Sequence, residues 1–107
     1  MKWETLNSEQ QFLDLLSNEA TLAVFKHSTR CSISTMAKNR IEREWDLDLP
    51  IYYLDLLQYR PVSNLIASQS GIEHASPQLI VFKAGKPIYN ASHNAIIADE
   101  VKALLLK

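Results

Sequence analysis

Runs of apolar residues alternate with amphipathic segments along the chain. Ser8 and Gln11 form a capping-box pattern that starts a first helix. The apolar residues of this helix share one face: Phe12, Leu15 and Leu16. The run Thr21–Phe25 is almost continuously apolar, which predicts a strand buried on both faces. The polar stretch 27–30 ends that strand.

The rest of the chain continues this alternation of helices and strands. The predicted elements are a helix from Cys31 to about Trp45, a strand over 51–56, a helix from Pro61 or Val62 to Gln69, strands over 78–82 and 87–91 joined by a turn at 84–86, and a helix over about 98–106. Pro at the first helical turn and Gly71 after the third helix support those boundaries.

The order of these elements predicts an α/β fold. Strands separated by helices favour parallel pairs with right-handed crossovers, and the hairpin at Gly85 adds an antiparallel edge pair. We therefore expect a mixed four-stranded sheet with helices on both faces. The length of 107 residues fits one domain spanning 1–107.

Composition and charge exclude several classes of function. A net charge of −1 argues against a nucleic-acid partner bound through phosphates. No run approaches the roughly 20 apolar residues of a membrane span, and the start has no signal-peptide pattern, so we expect a cytoplasmic protein without a membrane partner. One Cys excludes an intrachain disulfide framework, and the three His lack metal spacing, so we expect no metal.

Cys31 is the residue on which chemistry would depend. It follows a buried strand and begins a helix, where partial positive charge and free N–H groups stabilise a thiolate. Arg30 and His27 could add to this effect, and the C-x-x-S spacing brings the Ser34 hydroxyl within reach of the sulfur. The alternative is a small buried hydrophobe, which is common for free Cys. The polar neighbours favour a reactive thiol.

Ser76–Pro77, just before a predicted strand, is a second clue. X-Pro bonds are the only peptide bonds that adopt cis at appreciable frequency. A cis-proline beside a reactive Cys would expose the preceding backbone for pairing with an extended substrate. An ordinary trans proline is the alternative. His74 flanks this loop and His27 the other, so either could tune the thiol, although an ordinary loop histidine explains each equally well.

These features together resemble a known fold and family. The element order, the Cys at a strand-to-helix junction, Ser76–Pro77 and the hairpin stretch 82–86 resemble the thioredoxin fold over nearly the whole chain. The segments 25–34 and 74–78 resemble the monothiol bacilliredoxin (YtxJ-like) family, which typically carries T-C-P-I-S at its active site. Here Ser32 stands where the family usually has Pro, and Arg30 adds a charge before the Cys.

The resemblance implies an enzyme and assigns roles to its residues. Bacilliredoxins remove bacillithiol, a low-molecular-weight thiol that some bacteria use in place of glutathione, from protein mixed disulfides. Cys31 matches the nucleophile, and Ser34 matches the Ser that replaces a second, resolving Cys. Pro77 matches the cis-proline, and Ser76 matches the residue whose backbone faces the substrate.

The same resemblance implies the remaining partners. Thr29 and Arg30, which directly precede the nucleophile, are further candidate substrate contacts. No bound cofactor is implied, and bacillithiol is the co-substrate. The partners are bacillithiolated client proteins and an outside thiol or reductase, because a chain with one Cys cannot form an intramolecular disulfide.

Two other classes of function stay open from the sequence. The first is a glutaredoxin-like monothiol cluster carrier, in which two chains share a cluster through one Cys each and an external thiol. The second is a thioredoxin-fold binding module that uses the Ser76–Pro77 loop without redox turnover.

Overall fold

The computed structural model describes residues 1–106 and alternates strands with helices along the chain. In chain order the elements are β1 (Trp3–Thr5), α1 (Glu9–Asn18), β2 (Thr21–His27), α2 (Ser32–Glu44), β3 (Ile51–Asp55), α3 (Arg60–Ser70), β4 (Gln78–Lys83), β5 (Lys86–Ser92), a 3-10 turn (His93–Ala95) and α4 (Ala98–Leu105).

The strands form one mixed sheet in the order β1-β3-β2-β4-β5. β2 lies at its centre, parallel to β3 and antiparallel to β4, and the β4–β5 hairpin forms one edge. The α/β class, the mixed sheet and the antiparallel hairpin are therefore confirmed. Helices cover both faces, because α2 and α4 pack on one side and α1 and α3 on the other.

Two details of the predicted sheet are wrong. The sheet has five strands rather than four, because β1 pairs in parallel with β3, starting at Trp3 opposite Ile51. β1 is only three residues long and lacks an apolar run, so its pairing depends on the partner strand. The chain also enters β4 antiparallel to β2, so the crossover through α3 does not produce the expected parallel pair.

β2 shows how this fold presents a functional site. Ala23 and Phe25 pack into the core beneath α2 and α4, whereas Leu22 and Val24 pack into the core beneath α1 and α3. Side chains alternate between the two faces of a strand. The same alternation carries the last two residues of β2, both buried and polar, to opposite faces of the sheet.

The local signals at helix ends are also present. The Ser8 hydroxyl oxygen accepts the Gln11 N–H at 3.1 Å, and the Gln11 side chain accepts the Asn7 N–H at 3.0 Å. Gly71 ends α3 with φ of 72°, a conformation that favours glycine. Within residues 1–106, no helix combines the length and the hydrophobicity that crossing a membrane requires.

Leu54→Ala should weaken the core without touching the loops of the site. Leu54 is fully buried in β3 and packs into the core beneath α1 and α3. We expect a loss of about 2–5 kcal/mol in the free energy of unfolding, measured by urea denaturation. The control Leu57→Ala, at a residue that is already 43% exposed, should change stability by less than about 0.5 kcal/mol. Equal losses would contradict this placement of the core.

Candidate active site

Two loops meet at one end of the central strands of the sheet. β2 and β4 are antiparallel neighbours with Lys26 opposite Gln78, so the chain leaves β2 and enters β4 at the same end of the sheet. Continuing this register by one residue brings Pro77 opposite His27. The loop that carries Cys31 and the loop that carries Ser76 are therefore adjacent, although they are far apart in sequence.

Cys31 is the N-cap residue of α2 and is partly exposed. Its N–H donates to the Ser28 carbonyl oxygen at 3.1 Å, which closes a tight turn over 28–31. Its own carbonyl oxygen accepts the Thr35 N–H at 3.1 Å and the Thr35 hydroxyl at 3.3 Å. The side chain makes no capping hydrogen bond. The backbone of Cys31 is thus held from both sides, and the residue remains partly exposed.

The Ser34 hydroxyl is directed into the protein. Ser34 is fully buried, and its Oγ accepts the Ser28 N–H at 3.1 Å and lies 2.6 Å from Nδ1 of His27. Among the hydrogen bonds of residues 1–106, none joins Ser34 to the Cys31 sulfur, although the spacing had allowed one. Ser34 instead ties α2 to the end of β2 and holds the first residue of the turn before Cys31.

His27 forms the other half of this contact. Its buried ring lies 5.7 Å from the ring of Phe25 and 5.2 Å from that of Tyr53. Burial, assisted by the positive charge of Lys38, lowers the pKa of His27 below its ordinary value. The neutral imidazole can accept the Ser34 proton at Nδ1. His27 therefore positions the turn, and its ring makes no described hydrogen bond with the sulfur.

The second loop carries the other predicted site residues. The Ser76–Pro77 peptide bond is cis, and Pro77 is buried. The Pro77 carbonyl oxygen accepts the His93 N–H at 3.1 Å. Ser76 Oγ is buried and has no hydrogen-bond partner within residues 1–106. On the first loop, Thr29 and Arg30 are exposed in the turn.

His74 lies over a buried lysine that sequence reasoning missed. Lys26 Nζ is 3.2 Å from His74 Nδ1 and donates to the Ser63 carbonyl oxygen at 3.1 Å. The Ser63 hydroxyl also lies 3.2 Å from His74 Nδ1. Burial lowers the pKa of Lys26 to about 8 and, with the charges of Lys26 and Arg60, lowers the pKa of His74. One signal in the sequence could have pointed to this buried lysine. Lys26 is two residues after Val24, so the alternation of a strand places its charged side chain on the same face as the buried Leu22 and Val24.

These contacts divide the predicted residues into two groups. One group surrounds the Cys31 turn and includes His27 and Ser34; the other surrounds the Ser76–Pro77 loop and includes His74. Within residues 1–106, His, Cys, Asp and Glu side chains form no cluster able to hold a metal ion. The one Cys of the sequence lies on the first of these two loops.

Comparison with known proteins identifies the family. A family model described as "Monothiol bacilliredoxin BrxC" matches residues 4–101. The chain belongs to the monothiol bacilliredoxin family. The match includes both loops of the site, so the family resemblance carried by the segments around Cys31 and Pro77 is confirmed.

Solved structures agree on the fold of this bacilliredoxin. A structure described as a candidate oxidoreductase with a thioredoxin fold is 29% identical, with a TM-score of 0.86 over 94% of this chain and 91% of that chain. Thioredoxin from Malassezia sympodialis (16% identical, TM-score 0.74, 99% of this chain and 92% of that one) has the same fold. So does thioredoxin from Schistosoma mansoni (17% identical, TM-score 0.72, 98% and 94%).

The family and the fold place this bacilliredoxin among the thiol oxidoreductases of the thioredoxin fold. Its sequence contains a single Cys, Cys31. The bacilliredoxin brings Cys31 to the start of α2, as expected from the strand-to-helix junction.

Ser34→Ala should destabilise the protein because it removes a buried hydrogen-bonding partner. Both His27 Nδ1 and the Ser28 N–H would lose their contacts with Ser34 Oγ. We expect a loss of about 1–3 kcal/mol in the free energy of unfolding. The control Ser32→Ala, at the exposed start of α2, should change it by less than about 0.5 kcal/mol. A Ser34→Ala protein as stable as the control would mean that Ser34 does not position the turn.

The buried Lys26 should make the free energy of unfolding depend on pH in the alkaline range. The pKa of Lys26 falls from 10.5 to about 8 on folding, so between these values the unfolded chain binds more protons at this site. The free energy of unfolding should therefore rise with pH in this window, by at most roughly 1.4 kcal/mol per pH unit. Urea unfolding of wild type and Lys26→Met across this range tests the sign, because the variant should lack the rise. Parallel pH profiles would contradict it.

Proposed function

We propose that this bacilliredoxin removes bacillithiol from protein mixed disulfides through Cys31. The observation that carries the proposal is a single, partly exposed thiol at the start of α2, in a chain that belongs to the monothiol bacilliredoxins. The Ser34 hydroxyl stands one turn further along and is engaged by His27 and Ser28. The chain therefore has one reacting sulfur and a fixed turn that presents it.

The first half of the reaction is a thiol–disulfide exchange. The Cys31 thiolate attacks the bacillithiol sulfur of the mixed disulfide, a new S–S bond forms, and the bond between bacillithiol and the client breaks. The client sulfur leaves as a thiolate and takes a proton from solvent. The Cys31 sulfur thus replaces the client sulfur in the disulfide with bacillithiol, and no electrons are gained or lost overall in this half-reaction.

The second half needs a thiol from outside the chain. With one Cys in the sequence, the Cys31–bacillithiol disulfide cannot be resolved internally. A second thiolate, from free bacillithiol or from a reductase, attacks this disulfide and releases the Cys31 thiolate. This thiolate bonds to the bacillithiol sulfur as the Cys31–bacillithiol bond breaks, so bacillithiol leaves as a disulfide with the external thiol. Oxidation of the external thiol sulfur balances the reduction of the client sulfur, and the bacillithiol sulfur stays at the disulfide level throughout.

The residues around the sulfur supply the substrate contacts in this proposal. Thr29 and Arg30 are exposed in the turn directly before Cys31, where they can contact bacillithiol or the client. The backbone of Ser76, before the cis Pro77, is the edge against which an extended client segment would pair. These contacts would align the three sulfurs for exchange.

Transfer of bacillithiol from a client peptide tests this function. We expect wild type to gain one bacillithiol on Cys31 and to release the free client peptide, as read by intact mass. Cys31→Ser should gain none while keeping its circular dichroism spectrum. The same peptide carrying glutathione is the matched control substrate, and its reaction rate should be lower by about tenfold or more.

Each other outcome points to a different function. Equal rates with both substrates would mean a general monothiol oxidoreductase. A coloured dimer that forms on iron and sulfide reconstitution, with no transfer, would favour a cluster carrier. Client binding that survives Cys31→Ser without any adduct would favour a binding module.

A further inference from the structure

A polar cluster lies beneath the Ser76–Pro77 loop and is not explained by the exchange reaction itself. We call Lys26, Ser63, His74 and Gln78 the loop-anchoring cluster. Its members come from β2, α3, the loop and β4, in that order. Lys26 bridges the Ser63 carbonyl oxygen and His74 Nδ1, and the Ser63 hydroxyl lies against the same nitrogen.

The Gln78 side chain holds the same loop by hydrogen bonds to the loop backbone. Its buried side chain donates from Nε2 to the Glu73 carbonyl oxygen at 3.1 Å and accepts the Ala75 N–H at Oε1 at 3.4 Å. Gln78 is the register partner of Lys26 on the neighbouring strand. Two adjacent buried side chains thus contact three of the four residues that precede Pro77: Glu73, His74 and Ala75.

Packing alone does not account for Lys26. Its side chain is fully buried on the face of β2 that Leu22 and Val24 cover with apolar groups. A buried ammonium group is costly, and an apolar side chain of similar volume would suit this position better. The salt bridges of residues 1–106 include no carboxylate partner for it. The contacts that Lys26 does make go to α3 and to the loop.

We propose that Lys26 is a positioning residue that holds the 73–76 loop, through His74, in the form that receives an extended client. This rests on the proposed function, because it assigns Lys26 to client recognition rather than to the sulfur chemistry. The Cys31 turn is held separately by His27 and Ser34. Loss of Lys26 should therefore loosen one loop of the site and leave the other in place.

The test uses Lys26→Met, which keeps the length of the side chain and removes its charge and hydrogen bonds. Lys83→Met, an exposed lysine at the far end of β4, is the matched control. Hydrogen exchange of the amides at 73–76 should become about tenfold faster or more in Lys26→Met, with the 28–31 turn unchanged. Both regions should match wild type in Lys83→Met.

Kinetics then separate positioning from a general structural effect. The rate of Cys31 with a small aromatic disulfide should stay within about twofold of wild type. With the bacillithiolated peptide, kcat/KM should fall about tenfold, mainly through a higher KM. Equal losses with both disulfides, or unchanged exchange at 73–76, would overturn the role of Lys26.

Two further outcomes keep the proposals distinguishable. One outcome is faster hydrogen exchange at 73–76 in Lys26→Met, together with no reaction of wild type with the bacillithiolated peptide. This result would support the positioning role and refute the proposed function. If Lys26→Met fails to fold, His74→Ala decides by the same measurements. His74 is an exposed loop residue outside both core clusters, so its replacement removes the contact with Lys26 and leaves the core packed.

Discussion

The strict alternation of side chains at the end of β2 organises the whole site. Lys26 and His27 are consecutive, fully or almost fully buried, and directed to opposite faces of the central strand. A buried polar group must find a hydrogen-bond partner or destabilise the fold. His27 finds Ser34 at the start of α2, and Lys26 finds Ser63 and His74. One strand end thereby holds both loops.

This arrangement exchanges apolar packing for precise placement. The face of β2 that carries Lys26 is otherwise filled by apolar side chains, and on the other face the His27 ring lies against the rings of Phe25 and Tyr53. Placing an amine and an imidazole there costs desolvation energy, and this cost lowers the pKa of both groups. Their hydrogen bonds offset part of that cost and fix segments that would otherwise be free surface turns.

The position of Ser34 changes how a monothiol site is understood. In a chain with one Cys, a serine one turn after the nucleophile can be read as a vacant resolving position. Here its hydroxyl joins His27 to the Ser28 backbone and holds the turn that presents the sulfur. Ser34 therefore has a structural task of its own, and Cys31 itself is partly exposed.

Local signals predicted much of this protein. The apolar run of β2, the capping box at Ser8 and the strand-to-helix junction at Cys31 depend on neighbours in sequence. The elements and the place of Cys31 at the start of a helix could therefore be inferred without a structure. Strand β1, the direction of β4 and the partners of Lys26 depend on contacts between distant segments. Lys26 and His74 are 48 positions apart, and only the pairing of β2 with β4 and the packing of α3 bring them together. Hydrophobic periodicity indicates which face of an element is buried, but it does not indicate which polar group of a distant segment will contact that face.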